Sequence, residues 1–365
     1  MTEAAPELGV AALAELARVG HDAGLLRLGI VRLDHAGFAP SRAALDRYLA
    51  QGREGEMEFV RRSADVRKDP ALMLEGARSM LVAVVPYRSE ANNDGAAIAR
   101  YARSSDYHTV VHERLEVLEA ALAELVPAAR VLICVDTKPV FERAAAALAG
   151  LGFIGKHGCV IVPGLGSWFV LGAMLTTAVW RGPDAVGEDE PTLAQARWQA
   201  CGSCTRCLDA CPTDAFTAPG ELDPRRCISY LTIEHRGGIE ESLAASMGDR
   251  MFGCDVCQQV CPYNAAPDRE ARIPDAAWLP APIGPFRSTD PWRLVDIGSA
   301  TYRAWAKHTP VRRVPRRSMR RNALVVLGNE GGALTDEQRA RVDALTGDAD
   351  PQIAGSARRV LRRRG

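Results

Sequence analysis

Eight of the ten cysteines fall in one stretch of the chain: Cys201, Cys204, Cys207 and Cys211 followed by Pro212, then Cys254, Cys257 and Cys261 followed by Pro262, with Cys227 between the two runs. The first run reads C-x-x-C-x-x-C-x-x-x-C-P, a spacing that holds [4Fe-4S] cubanes. A cubane takes four thiolates from different directions, and one tight turn can offer three of them at intervals of three residues. The fourth must come from a distant part of the chain. This segment therefore folds around inorganic clusters, and the protein moves electrons.

Where two such runs occur together, the cysteine preceding each proline reaches across to the other cluster. That rule assigns Cys201, Cys204, Cys207 and Cys261 to one cubane. Cys211, Cys254 and Cys257 need a partner for the second, and Cys227, which lies in neither run, is the candidate. Structural zinc is the competing reading, but it favours isolated C-x-x-C pairs and has no use for the extra C-P cysteines. Disulfide staples suit short secreted chains rather than one of 365 residues with no secretory pattern. Cys134 and Cys159 sit in apolar stretches and read as small buried hydrophobes.

With 47% hydrophobic and 25% charged residues, the chain has the make-up of a soluble protein of two or three domains. No apolar run is long enough to span a membrane, so a cytoplasmic location is expected. A monomeric state is expected as well. The formal net charge is zero but unevenly spread: Thr301 to Gly365 holds fifteen Lys and Arg against six Asp and Glu, leaving this tail at +9 and the rest at −9. A polyanionic partner is suggested. A solvated basic helix face is the alternative.

From residue 1 to 195 helical and strand-like patterns alternate. They predict helices at Val10–Ala23, His108–Leu125 and Val140–Ala149, and strands at Leu28–Val31, Met80–Val85, Val131–Val135, Val160–Val162 and Trp168–Leu175. Residues 1–195 are thus an α/β domain, 196–267 a ferredoxin-like α+β domain for two clusters, and 268–365 a connection rich in proline (Pro274, Pro280, Pro282, Pro285) leading to a basic helical tail. The apolar stripes of Leu324 to Leu327 and of Ile353, Val360 and Leu361 are compatible with one or two short helical repeats.

Gly150-Leu151-Gly152-Phe153-Ile154-Gly155 matches G-x-G-x-x-G, yet it follows a helical pattern, whereas the dinucleotide fingerprint needs a strand before it and a helix after. More informative is its surrounding sequence, V-D-T-K-P at Val135 to Pro139 and G-F-I-G-K at Gly152 to Lys156. An acid at the end of a buried strand is costly unless paired or functional, and a helix N-cap is the plain explanation for Asp136. Lys156 is a candidate to meet an anionic or polar group.

A set of collinear motifs spans nearly the whole chain: R-K-D-P at Arg67, R-Y-A at Arg100, D-Y-H at Asp106, V-D-T-K-P, G-F-I-G-K, C-G-S-C-T-R-C-L-D-A-C-P-T at Cys201, R-R-C-I-S-Y-L-T-I-E-H-R-G at Arg225, F-G-C-D-V-C-Q-Q-V-C-P at Phe252 and R-R-N-A-L-V-V-L-G-N at Arg320. Together they resemble the epoxyqueuosine reductases. The resemblance implies a cobalamin-dependent iron-sulfur enzyme acting in the last step of queuosine biosynthesis, on a modified base at the wobble position of tRNA. It also implies a cobalamin-binding α/β domain similar to flavin nitroreductases, a cluster domain and a HEAT-like C-terminal region.

On the same footing, Asp136 is the expected proton donor, with a pKa raised by burial against an apolar corrin face. Expected cobalamin contacts are Arg67, Ala99, Asp136, Val160, Leu171, Met174, Ser229, Cys254 and Asp255. Expected tRNA contacts are His235, Arg236, Arg313, Arg316, Arg317, Arg320 and Arg321, with electrons coming from an unidentified flavodoxin- or ferredoxin-type donor. His157 and Gly158 depart from the family pattern, in which asparagine followed by a residue other than glycine is common. A corrinoid reductive dehalogenase acting on a small molecule is the rival reading, but its export signal and tyrosine acid are not evident here.

Overall fold

The computed structural model describes residues 5–88, 96–185, 198–265, 270–281 and 289–365. The expected domain boundaries at 195/196 and 267/268, and Pro282 and Pro285 of the connection, lie outside the described residues.

The first domain is built on a four-stranded sheet of β1 (Arg27–Arg32), β2 (Ser79–Pro86), β3 (Val131–Cys134) and β4 (Phe169–Thr176), in the order β1-β2-β4-β3. Every pairing is antiparallel, so the alternation of helix and strand in sequence does not generate the parallel βαβ sheet that α/β usually denotes. Helices cover both faces. Strand side chains alternate between faces. Leu81, Ala83, Val85 and Met174 therefore pack with Leu16 of α1 (Val10–Asp22) and Val111, Leu115 and Leu118 of α2 (Tyr107–Leu125). Met80, Val82, Ala173 and Leu175 pack instead with the alanines of α3 (Glu142–Leu148). β2 is buried along its whole length, as expected of a central strand covered on both sides.

The glycine motif turns out as its context predicts. Gly150, at φ 73°, ends α3, and Phe153–Ile154 then pairs with Val160–Ile161 as an antiparallel ribbon. Gly152 passes so close to this ribbon that a Cβ would lie 2.2 Å from the Ile161 carbonyl oxygen. No helix follows, so the stretch is not a dinucleotide fingerprint.

In the cysteine-bearing segment, the one-turn helix α4 (Arg206–Asp209) follows the Cys201-x-x-Cys204 turn and carries Cys207, and the one-turn helix α6 (Val256–Gln259) carries Cys257, with α5 (Ile228–Ile233) between them in sequence. Arg250–Phe252 pairs in parallel with Ala97–Ile98, so the segment shares a small sheet with the first domain. The C-terminal helices α7 (Arg316–Asn329), α8 (Asp336–Ala344) and α9 (Pro351–Arg364) bury Leu324, Leu327, Val342, Ile353 and Val360 in one core with Met251 and Phe252. Among the described residues, no helix is long and apolar enough to cross a membrane.

Candidate active site and cluster segment

Asp136 follows β3 at φ 52°, a left-handed conformation that costs a non-glycine residue about 1 kcal/mol or more and concentrates at functional positions. Its backbone N–H donates to Glu142 Oε1 at 3.1 Å, which ties the turn to the start of α3. The carboxylate is open to a cleft, with 61% of the side chain exposed. Tyr107 Oη donates to Asp136 Oδ2 at 2.8 Å, and His108 Nε2 lies 3.3 Å from the same oxygen. His108 is held from behind by Asp106, whose Oδ1 is 2.7 Å from Nδ1. Asp106 also N-caps α2 through the His108 backbone N–H, and its second oxygen is 3.3 Å from Arg312 Nε.

These contacts reverse one expectation. The hydrogen bond from His108 holds the Asp136 carboxyl below its ordinary range, with Tyr107 and the charges of His108 and Arg313 adding to it, against the opposing effect of burial. Burial works against the charged imidazole as well, yet its bonds to Asp106 and Asp136 hold His108 up to about 9. The proton therefore rests on the imidazole. Glu142 is pushed up to about 7 by burial and by the neighbouring Asp136 charge.

Two cavities meet at this point. The larger, about 580 Å³, is lined by Arg67, Asp136, Glu142, Arg143 and His157, with Tyr48, Phe59 and Trp198. The smaller, about 250 Å³, shares Asp136, Glu142 and Arg143 and adds Tyr107, Cys159, Val160, Leu171 and Gln258. Of the expected cofactor residues, Arg67, Asp136, Val160 and Leu171 thus line the cavities.

Ala99, Met174, Ser229, Cys254 and Asp255 line neither cavity. Met174 is fully buried and packs with α2, on the sheet face opposite Leu171, because strand period two sends residues an odd number apart to opposite sides. Ala99 instead lies directly beneath Gly253. Asp255 accepts the Arg100 backbone N–H at 2.8 Å, and burial pushes its carboxyl up.

No disulfide joins any of the ten cysteines. Burial pushes Cys207 up to about 11, with further contributions from Cys261, Cys201 and Cys204. Burial likewise raises Cys254 to about 11, with Cys227 among its neighbours, and Cys227 is raised by burial and by Cys211. Cys257 is raised by burial and then by Cys159, Cys254 and Cys227. Cys207 of the first run also raises Cys257 of the second, so the two runs lie close to one another. Among the described residues no three Cys, His, Asp or Glu side chains converge on the position of a single ion. A cubane asks for less, since each of its four irons takes one thiolate.

Lys156 does not face a ligand. Its ammonium donates to the carbonyls of Gly202 at 2.7 Å and Cys204 at 3.0 Å, so it clasps the first cysteine turn. Gln258 and Asn264 bond to Ser167 and dock the second turn against the first domain.

The basic tail divides. Arg321 is fully buried, with its fork on the carbonyls of Leu231, His235 and Gly237. Arg320 is 7% exposed and bonds to the Val295 carbonyl and Asp348. Neither is available to a polyanion; both satisfy backbone carbonyls that the helix packing would otherwise leave unpaired. Arg316 is half-buried and donates to the Ile297 carbonyl. Arg317 is exposed, and Arg313, half exposed, pairs with Glu234 and lies over the Phe59 ring. His235 and Arg236 both bond to Glu56.

Sequence reasoning gave no role to Tyr107, His108, Glu142 or Arg143. Asp106-Tyr107-His108 was visible as a motif, but only the fold carries the N-terminus of α2 to the end of β3.

Two family models match. "Epoxyqueuosine reductase QueG, DUF1730" covers residues 67–137, and "4Fe-4S double cluster binding domain" covers residues 200–264. The epoxyqueuosine reductase of Xanthomonas campestris pv. campestris is 36% identical over 338 residues, covering 88% of each chain. A crystal structure of an epoxyqueuosine reductase with an epoxyqueuosine-modified tRNA-Tyr stem loop superposes with a TM-score of 0.78 at 28% identity, covering 96% of this chain and 90% of that one. The Bacillus subtilis enzyme, solved with its catalytic aspartate loop swung out of the active site, gives a TM-score of 0.77 at 26% identity and the same coverage. With its cysteine sets, its antiparallel sheet and this similarity along most of its length, the chain belongs to the epoxyqueuosine reductase family of iron-sulfur oxidoreductases.

Proposed function

We propose that this protein reduces epoxyqueuosine to queuosine at the wobble position of tRNA, with electrons from two [4Fe-4S] clusters passing to cobalamin and Asp136 delivering protons to the substrate. The observation that carries this reading is a junction. Asp136 lines a cavity also lined by Cys159 and Gln258, and Cys159 is close enough to Cys227 and Cys261 for each to raise its thiol, in opposition to Arg143, which lowers it. An acid and a cluster-bearing segment thus border one space.

The residues present fit a large cofactor. Arg67 Nε and His157 Nε2 are buried donors with no hydrogen-bond partner among the described residues, and both residues line the larger cavity. Orphaned buried donors are rare unless a ligand completes them, and cobalamin is rich in amide carbonyls. Arg67, His157, Val160 and Leu171 would hold it. When bound, cobalamin supplies a strongly reducing cobalt centre for cleavage of the epoxide carbon–oxygen bond.

The chain's own residues then position and protonate. Tyr107 and Glu142 fix Asp136 from two sides, and its open carboxylate faces the cleft. Arg313 and Arg317, the exposed members of the basic set, would neutralise tRNA phosphates. The modified base leaves the stack to reach the cleft, as base-modifying enzymes require.

The test is anaerobic reconstitution with iron, sulfide and cobalamin, followed by nucleoside mass spectrometry of an epoxyqueuosine-bearing stem loop treated with a chemical reductant. Loss of one oxygen that depends on cobalamin is expected. An unchanged nucleoside with both cofactors loaded would overturn the reading.

A further inference from the structure

We propose that His108, oriented by Asp106, feeds protons to Asp136 and supplies the second proton that epoxide reduction consumes. This rests on the reading in the preceding section. Converting an epoxide to an alkene and water takes two electrons and two protons, whereas one carboxyl holds a single proton. Asp136 must therefore be recharged within each turnover.

Among the described residues several groups stand around it, and His108 is the one that meets its carboxyl with a proton it can release. Tyr107 donates a hydrogen bond to Asp136, but burial pushes its hydroxyl far up, so it holds its proton. Glu142 meets the Asp136 backbone N–H rather than its carboxyl. Arg67 and Arg143 line the same cleft, and Arg313 adds its charge nearby, but guanidinium groups do not release protons. His108 Nε2 lies 3.3 Å from Asp136 Oδ2 and belongs to a ring that is charged near neutral pH.

The other nitrogen fixes the direction of transfer. Nδ1 is 2.7 Å from Asp106 Oδ1, and Asp106 is itself anchored by the N-terminus of α2 and by Arg312. The proton on Nδ1 stays there, donated to this carboxylate, so the mobile proton is the one on Nε2. In the step proposed, the Nε2–H bond breaks and an Oδ2–H bond forms, leaving neutral imidazole with Nδ1–H. Asp136 then passes that proton to the departing oxygen. The side chain is 32% exposed, so solvent can return a proton to Nε2. Tyr107, stacked on the imidazole with ring centroids 4.1 Å apart, keeps the ring aimed.

His108 acts through Asp136, so its test needs readouts that a merely structural residue would leave alone. His108→Gln and Asp106→Asn, loaded with both cofactors, are compared with the parent protein for kcat and KM against pH on the epoxyqueuosine stem loop. His108→Gln is expected to lower kcat about 100-fold, within the range for general acid catalysis. Its KM should stay within about threefold, the high-pH limb of kcat should disappear, and added imidazole should restore part of the rate. Unchanged kcat and pH profile in His108→Gln would overturn the proposal, as would a loss that imidazole does not restore in a variant with parental iron and cobalamin content.

A second measurement does not depend on turnover. The His108 ring, followed by NMR in the reduced-thiol protein, should titrate near 9 and fall toward an ordinary histidine value in Asp136→Asn. Titration at the ordinary value in the parent protein would also overturn it. Inactivity of the parent protein on the stem loop would instead count against the proposed substrate, and the NMR titration would still decide the role of His108.

Discussion

Arg321 and His235 are joined across the boundary between the C-terminal helices and the cluster segment: Arg321 Nη1 donates to the His235 carbonyl at 2.9 Å. The same guanidinium reaches Gly237 and, through Nη2, Leu231, while Asn322 accepts from Nε. Asn322 in turn donates to the carbonyls of Thr232 and Met251. A basic residue that composition assigns to nucleic acid is here a buried clamp that organises the loop after α5.

Removing that clamp should cost stability rather than affinity. Arg321→Met leaves one buried and two part-buried carbonyls short of a donor, a loss of about 3 kcal/mol. Lysine should not rescue it, since one ammonium cannot span the fork. Denaturant unfolding of the loaded protein would reveal the loss, and parental stability in Arg321→Met would contradict the clamp.

The exposed arginines should behave in the opposite way. Arg313→Ala and Arg317→Ala should each weaken stem-loop binding and reduce the slope of log K against log salt by roughly one, at near-parental stability. Arg320→Ala should leave that slope alone and lower stability, because its partners are Val295 and Asp348. Binding titrations at several salt concentrations separate the two groups.

Stability should also carry the signature of the His108 network. The folded pKa of His108 is raised to about 9 from an ordinary 6.5. Its contribution is therefore fully present below about 6.5 and is lost as pH rises through about 9, up to about 3 kcal/mol in all. Asp106 and Asp136 are lowered, so their contributions are present above their ordinary value and are lost as pH falls through their folded values. Thermal unfolding at pH 6.5 and pH 9.5 should show a larger drop for the parent protein than for His108→Gln. Equal drops would mean that the imidazole is not held charged.

The two cysteine sets make a further expectation concrete. Cys261→Ala should remove the same cluster signal as Cys201→Ala, although the two residues lie in different runs, because both neighbour Cys207. Cys227→Ala should remove the other. Iron analysis with electron paramagnetic resonance of the reduced variants checks this. Loss of the same signal in both Cys227→Ala and Cys201→Ala would contradict the division.

Much of this was legible in sequence, for identifiable reasons. The strands read as apolar runs because β2 and β4 are covered on both faces, and the cysteine spacing is imposed by cluster geometry. Asp136 could be named because it sits in a compact motif. Its protonation could not, since the partners that lower it come from α2, brought to it by the fold. Met174 shows the same limit: three residues from Leu171 on one strand, it lies on the opposite face. Arg320 and Arg321 were misassigned because composition counts charge without showing which guanidinium groups meet backbone carbonyls.

The most direct measurement compares the parent protein with Asp136→Asn, each carrying both clusters and cobalamin, on an epoxyqueuosine stem loop under a chemical reductant, with nucleoside mass spectrometry as the readout. Conversion to queuosine by the parent, with conversion lost in Asp136→Asn at unchanged iron and cobalamin content, is the expected result. Full conversion by Asp136→Asn would contradict the role of this carboxylate at the centre of the site.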